Sequence, residues 1–167
     1  MLQSEQDVVD LLEAQGIPYE LDHHPAIFTS AEGDALDLPH PDRFVKNLYL
    51  RDDKKRHRYL VVVRHDTRID LKALAALIDS RRLSFASEED LGQVLHITRG
   101  SVTPFALLND EERAVNVVFD DRFATGLIGV HPMVNTATVY VPADALIALI
   151  KEHGNPFMLA DFTQMSE

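Results

Sequence analysis

The sequence contains no cysteine. Disulfides, thiolate nucleophiles and Cys-ligated zinc are excluded together. It also lacks any run approaching the roughly 20 apolar residues needed to cross a bilayer, so no membrane association is expected. Its opening, MLQSEQDVVD, carries acids where a secretory signal carries positive charge. A soluble, cytoplasmic protein is the expectation. The common catalytic signatures are missing as well: no G-x-S-x-G elbow, no phosphate-binding G-x-x-x-x-G-K-[ST], no H-E-x-x-H and no G-x-G-x-x-G. Eight histidines are present, but the adjacent pair His23 and His24 has no ligand spacing, so neither metal nor other cofactor is expected.

Basic residues are scarce overall, 16 against 27 acids for a net charge of -11. Their placement is uneven. Residues 43–82 hold twelve Lys and Arg against five acids, and the rest of the chain holds four against twenty-two. A basic segment on an acidic body suits a phosphate-facing surface. The octapeptide RDDKKRHR within it also fits a solvated hairpin tip.

At 167 residues the chain suits one well-buried core, and residues 1–167 are expected to form a single domain. Ser4 and Asp7, followed by Val8, Leu11 and Leu12 on one face and then Gly16, mark a capped amphipathic helix. A short strand IPYELD follows, then a turn-rich loop, HHPAIFTSAEGDALDLPHPD, carrying one short helix. FVKNLYLR and RYLVVV read as an antiparallel hairpin. Asp70 and Ser87 cap two further helices, AVNVVFD reads as a strand, and GLIGVHPMVNTATVYV as a loop leading into another. A last helix begins at Pro142 or Asp144 and runs to Gly154. The pattern predicts an α+β fold: a single mixed, mainly antiparallel sheet or a partly closed barrel, with surrounding helices.

In RFVKNLYL, strand alternation puts Lys46 in an apolar row with Phe44, Leu48 and Leu50. An unpaired ammonium buried there costs several kcal/mol or more, so Lys46 must reach an anion or line a wet cavity. Taken singly, Lys46 also fits a side chain that snorkels to the sheet edge, GSVTP a turn, and His131 a loop residue held by one backbone bond.

Taken together, HPAIFTSAE, VKNLYLRDDKK, LKALAALIDSRRLSFASEEDL, GSVTPFALLND and IGVHPMVNTATVYV, in that order, resemble the YbaK-like editing domains. These are freestanding relatives of the insertion domain of bacterial prolyl-tRNA synthetase. RLSFAS, GSVTPF and HPMVNTATV are most similar to the branch that removes alanine from mischarged tRNA(Pro), with Met133 and Val134 as a departure. The resemblance implies hydrolysis of an aminoacyl ester at a tRNA 3′ end. It assigns Lys46, Gly100 and His131 to catalysis, Lys46 by approaching the terminal phosphates or ribose. Asn47, Ser101, Val102, Thr103, Pro104 and Asn135 are the implied substrate contacts. Phe28, Val45 and Val102 are guesses for the wall of the amino acid pocket, and Arg81 and Arg82 candidates for the acceptor stem. The implied partners are the acceptor end of tRNA(Pro) and prolyl-tRNA synthetase. A deacylase for Cys- or Ser-charged tRNA and a non-catalytic tRNA-binding module of the same fold are the alternatives.

Overall fold

The computed structural model describes residues 1–26 and 36–165. Helix starts follow the capping chemistry of the sequence. In α1 (Glu5–Ala14) the Ser4 hydroxyl accepts the Asp7 N–H and the Asp7 carboxylate accepts the Ser4 N–H, both at 3.1 Å. This reciprocal box satisfies two donors that a helix end otherwise leaves free. Asp70 accepts the N–H groups of Lys72 and Ala73 to start α2 (Leu71–Leu77), and Ser87 accepts that of Asp90 to start α3 (Glu88–Leu95). The helix α4 (Ala143–His153) follows Pro142 and ends at Gly154, whose φ of 109° suits glycine.

The strands are β1 (Glu20–His23), β2 (Val45–Asp52), β3 (Arg58–Arg64), β4 (Leu83–Phe85), β5 (Val115–Asp120), β6 (Leu127–Val130), β7 (Ala137–Pro142) and β8 (Phe157–Ala160). They divide into two open sheets, in the orders β4-β2-β3-β5-β8 and β1-β7-β6. The α+β class and the mainly antiparallel pairing are as expected, but among the described residues no barrel closes. The second sheet instead packs Ile128, Val130, Val139 and Val141 into the core it shares with the larger sheet. Facing packing buries those side chains without a continuous ladder between the sheets. Among the described residues, the isolated parallel bridge from Phe44 to Gly129 links β6 to the residue before β2.

Two pairings are parallel, β3 with β5 and β5 with β8. Parallel neighbours need covered faces, and β3 has both. Leu60 and Val62 enter the core between the sheets; Val61 and Val63 enter a second core beneath α2. All four are fully buried, and each such side chain contributes about 1.5–3 kcal/mol. The continuous apolar run in RYLVVV is therefore a two-faced strand. It holds β2 in place beside it.

Candidate active site

Three further strands were not read from the sequence, and two of them shape the site. β4 pairs with residues 50–52 of β2, Ala86 N–H reaches Tyr49 O, and the Phe44–Gly129 bridge meets the start of the strand, so among the described residues the edge stays open around Asn47. The β2–β3 ladder fixes which groups face that edge. His65 N–H donates to Phe44 O at 3.2 Å and Asp52 N–H donates to His57 O at 3.1 Å, so even-numbered β2 residues bond to β3. The main-chain N–H and C=O of Asn47 face outward.

Lys46 and Asn47 point to opposite faces of this strand. Lys46 shares its side with Phe44 and Leu48 and is half-buried. Burial pushes its pKa below the ordinary lysine value, and the Asp66 carboxylate offsets part of that. Among the described residues it makes no ion pair or hydrogen bond. Asn47 turns toward the central core, with its Oδ1 buried and lacking a hydrogen-bond partner among the described residues. It lines a cavity of about 370 Å3 with Tyr49, Phe85, Leu91, Arg99 and Val102.

Residues 100–104 border this cavity through Val102. Gly100 and Ser101 belong to the 3-10 turn Arg99–Ser101, with Ser101 N–H donating to Thr98 O at 3.0 Å. Thr103 is fully buried, caps the 3-10 helix Pro104–Asn109, and is followed by Pro104 and three fully buried residues, Phe105, Ala106 and Leu107. The loop is thus anchored at its far end while Ser101 and Val102 stay half-exposed. A firm anchor fixes where its backbone can meet a substrate.

His131 follows β6, with its Nδ1–H donating to Ala137 O at 3.0 Å. Burial depresses its pKa, so the ring is neutral with Nε2 as its acceptor nitrogen. Its ring centre lies 6.0 Å from that of Phe44 and 6.5 Å from that of His24. Through Phe44, two residues before Lys46 on the same face, His131 and Lys46 share one side of the sheet. Gly129 makes this possible: a Cβ there would sit 2.5 Å from the Tyr140 ring.

The remaining candidates are spread more widely. Asn135 is half-buried in the turn after Met133, whose φ of 67° is left-handed. Val45 is 3% exposed in the core between the sheets. Arg81 and Arg82 are exposed at the far end of β4, and Arg81 pairs with Asp53 at 2.6 Å. Phe28 lies outside the described residues. Phe85 and Arg99 were not singled out by the sequence; β4 and the 3-10 turn bring them to the cavity. Only the exposed aromatic in RLSFAS hinted at one of them.

Tyr49, Asp90 and Arg58 brace the cavity floor. The Tyr49 hydroxyl donates to Asp90 Oδ1 at 2.7 Å, and Arg58 donates to both Asp90 oxygens at 2.8 and 2.9 Å. Burial raises the Asp90 pKa, but these hydrogen bonds outweigh it and hold the carboxyl below its ordinary value.

The aminoacyl-tRNA editing domain family matches residues 24–149. The chain belongs to that family. Editing of this kind is hydrolysis of the aminoacyl ester, so the protein is an aminoacyl-tRNA hydrolase. Prolyl-tRNA editing protein ProX of Acetoanaerobium sticklandii is 42% identical over 93% of this chain and 96% of its own. Prolyl-tRNA synthetase associated domain-containing protein 1 of Danio rerio is 38% identical over 82% of this chain and 76% of its own. A crystal structure described as a candidate trans-editing enzyme for prolyl-tRNA synthetase superposes with a TM-score of 0.63. It covers 96% of this chain and 99% of its own at 19% identity, a likeness of fold alone. Among the described residues no helix is long and apolar enough to cross a membrane.

Proposed function

We propose that the chain as a whole is one editing domain acting in trans, which hydrolyses the ester of Ala-tRNA(Pro) and spares Pro-tRNA(Pro). The observation that carries this reading is Lys46: a half-buried ammonium without an ion-pair partner among the described residues, on the strand whose edge stays open beside residues 100–104. The name of the 42%-identical relative, a prolyl-tRNA editing protein, supports tRNA(Pro) as the substrate. Prolyl-tRNA synthetase, in the cytoplasm, is the proposed neighbour whose errors it clears.

The 3′ end of the tRNA lies along the open edge of β2. Lys46 meets a terminal phosphate or the ribose, exchanging water for a charge-assisted contact. Main-chain N–H groups of Gly100 and Val102 hold the ester carbonyl and stabilise the negative charge it gathers as water attacks. The tetrahedral intermediate collapses by breaking the bond to the ribose oxygen, which takes a proton and leaves as the free hydroxyl; the amino acid departs as its acid. An aminoacyl ester is already activated, so positioning suffices without a protein nucleophile. Neutral His131, with Asn135 nearby in sequence, orients the water or the amino acid and is not required as a base. Discrimination is by size. A synthetase that gains only about 1–3 kcal/mol from the extra methylenes of proline needs a second, tighter sieve.

The test is release of amino acid from Ala-, Cys-, Ser- and Pro-tRNA(Pro) by wild type and Lys46→Ala. Multiple turnover on the alanyl ester, with the prolyl ester intact and the variant inactive, is the expected result. Preferred release of cysteine or serine would move the specificity. Stoichiometric, salt-sensitive retention of tRNA without release would make the chain a binding module.

A further inference from the structure

Pro132 leaves the ladder between β6 and β7 one donor short. Extending that register by two residues beyond Val130 and Val139 sets Pro132 opposite Ala137. His24 N–H donates to Thr136 O at 3.0 Å, so the even-numbered residues of this stretch bond toward β1 and Ala137 turns its main-chain groups the other way. Proline has no N–H to offer that carbonyl. The His131 ring donates there instead, from Nδ1–H to Ala137 O at 3.0 Å. Which nitrogen of His131 stays free as an acceptor therefore depends on where one carbonyl at the start of β7 points.

Ala137 opens β7, just after the turn that holds Met133 in a left-handed conformation. Strand ends of this kind fray unless they are tied down. His24 ties this one on both sides of Ala137. Its main chain holds Thr136 O, and its ring reaches past Ala137 to Thr138, with Nε2 at 2.8 Å from Oγ1. His24 Nδ1 lies 2.8 Å from Pro25 O. A carbonyl only accepts, so Nδ1 carries a proton and Nε2 of the neutral ring accepts the Thr138 hydroxyl. In the charged ring Nε2–H donates to the hydroxyl instead, and the tie holds either way. Thr138 is fully buried, with Cγ2 at 3.2 Å from where a Cβ on Gly129 would stand, so its hydroxyl depends on a partner from within the protein.

We infer that His24 is a positioning residue of the deacylase: by clamping the residues on either side of Ala137, it fixes the carbonyl that orients His131 and keeps Nε2 of that ring free as an acceptor. The inference rests on the proposed role of His131 in orienting the water or the amino acid. His24 acts only through that ring. Without its bond to Thr138 the Ala137 carbonyl can swing, and His131 can rotate or move its proton to Nε2. The acceptor then becomes a donor or leaves the site. A positioning group displaced by about 1 Å can cost about a hundredfold in rate, while binding through the RNA is retained.

The test reads the His131 ring directly by long-range proton–nitrogen NMR, alongside deacylation kinetics on Ala-tRNA(Pro), in wild type, His24→Leu, His24→Gln and Thr138→Val. Wild type is expected to show a single His131 tautomer, with the proton on Nδ1. His24→Leu and Thr138→Val each break the ring bond and should give a mixture of tautomers, with kcat lower by about tenfold or more and KM within about twofold. Glutamine puts an acceptor oxygen where Nε2 stood, so His24→Gln should restore the single tautomer and most of kcat. The variant carrying both His24→Leu and Thr138→Val should be no slower than either alone, because the two changes remove the same bond. If His24→Leu fails to fold, Thr138→Val and His24→Gln give the same readings. A His131 tautomer unchanged in the variants that lack the ring bond overturns the inference, and so does a fall in kcat that glutamine leaves unrepaired. Tautomers that change as expected in a protein whose wild type releases no amino acid leave His24 holding His131 and sink the deacylase reading alone.

Discussion

At the hairpin end of β2 and β3, most charged side chains are matched from within the protein: Asp52 Oδ1 accepts the N–H groups of Arg56 and His57, Arg58 grips Asp90, and Arg81 meets Asp53, with Asp52 Oδ2 the exception as a buried oxygen without a partner among the described residues. At the other end of the same strand, Lys46 has no ion pair and Asn47 Oδ1 no hydrogen bond among the described residues. The two ends lie on one ladder. What separates them is coverage, because β4 and Ala86 cover residues 49–52. A polar group with a partner stabilises the fold, whereas one left without a partner at an open edge costs folding energy and is recovered when a ligand arrives.

The comparison breaks most sharply at Lys46. Lys46→Ala is expected to lower kcat/KM for Ala-tRNA(Pro) by about a hundredfold or more, the scale of losing one charge-stabilising donor. Stability should hold or rise by up to about 1 kcal/mol, because a half-buried ammonium is removed. Single-turnover deacylation and urea midpoints measure the two effects. A large fall in stability would make Lys46 structural.

Asp90→Ala probes the opposite end. It leaves the Tyr49 hydroxyl and the Arg58 guanidinium without their shared acceptor, and a loss of about 2–3 kcal/mol is expected. The Arg58 side chain is 29% exposed, so water recovers part of its solvation. The urea midpoint should fall clearly while kcat, measured well below the melting temperature, changes far less than in Lys46→Ala.

Smaller again is the contribution of His131 to the pH dependence of stability. Its folded pKa is depressed by burial, while the unfolded chain titrates near 6.5. Between those values the unfolded state binds more protons, so the contribution is complete above 6.5 and is lost as pH falls toward the depressed folded value. His131→Gln should remove that slope from a series of urea midpoints. An unchanged slope would assign it to other histidines.

Much of this contrast was legible in the sequence, and the reasons differ by element. Ser4, Asp70 and Ser87 announced three helices because capping is local. The odd lysine of RFVKNLYL stood out on its strand face because strand alternation is local too. β6 was read as loop because Gly129 breaks the apolar run, a glycine that the Tyr140 ring requires from eleven residues away. β4 and β8 are short, and β8 joins β5 in parallel across α4, which no local pattern encodes. For the same reason Asn47 could be named but not its missing partner. Whether an amide is satisfied depends on chain that arrives from elsewhere.

The smallest effect tests how far the open end extends. Arg81 and Arg82 stand at the tip of β4, next to the basic turn, and Arg81 already pairs with Asp53 on the surface. An exposed pair of this kind contributes little because solvent and salt screen it, so Arg81→Ala should barely move the urea midpoint. If the RNA backbone passes along β4 toward Phe85, each arginine that meets a phosphate contributes to the salt dependence of binding. Removing one then lowers the slope of log Kd against log salt by about 0.7–0.9, with little change in kcat. Arg82, which has no ion pair among the described residues, should show the full change. Arg81 should show less, because it must leave Asp53 to reach the phosphate. Equal and unchanged slopes in both variants would confine the RNA contact to the Lys46 end of the strand.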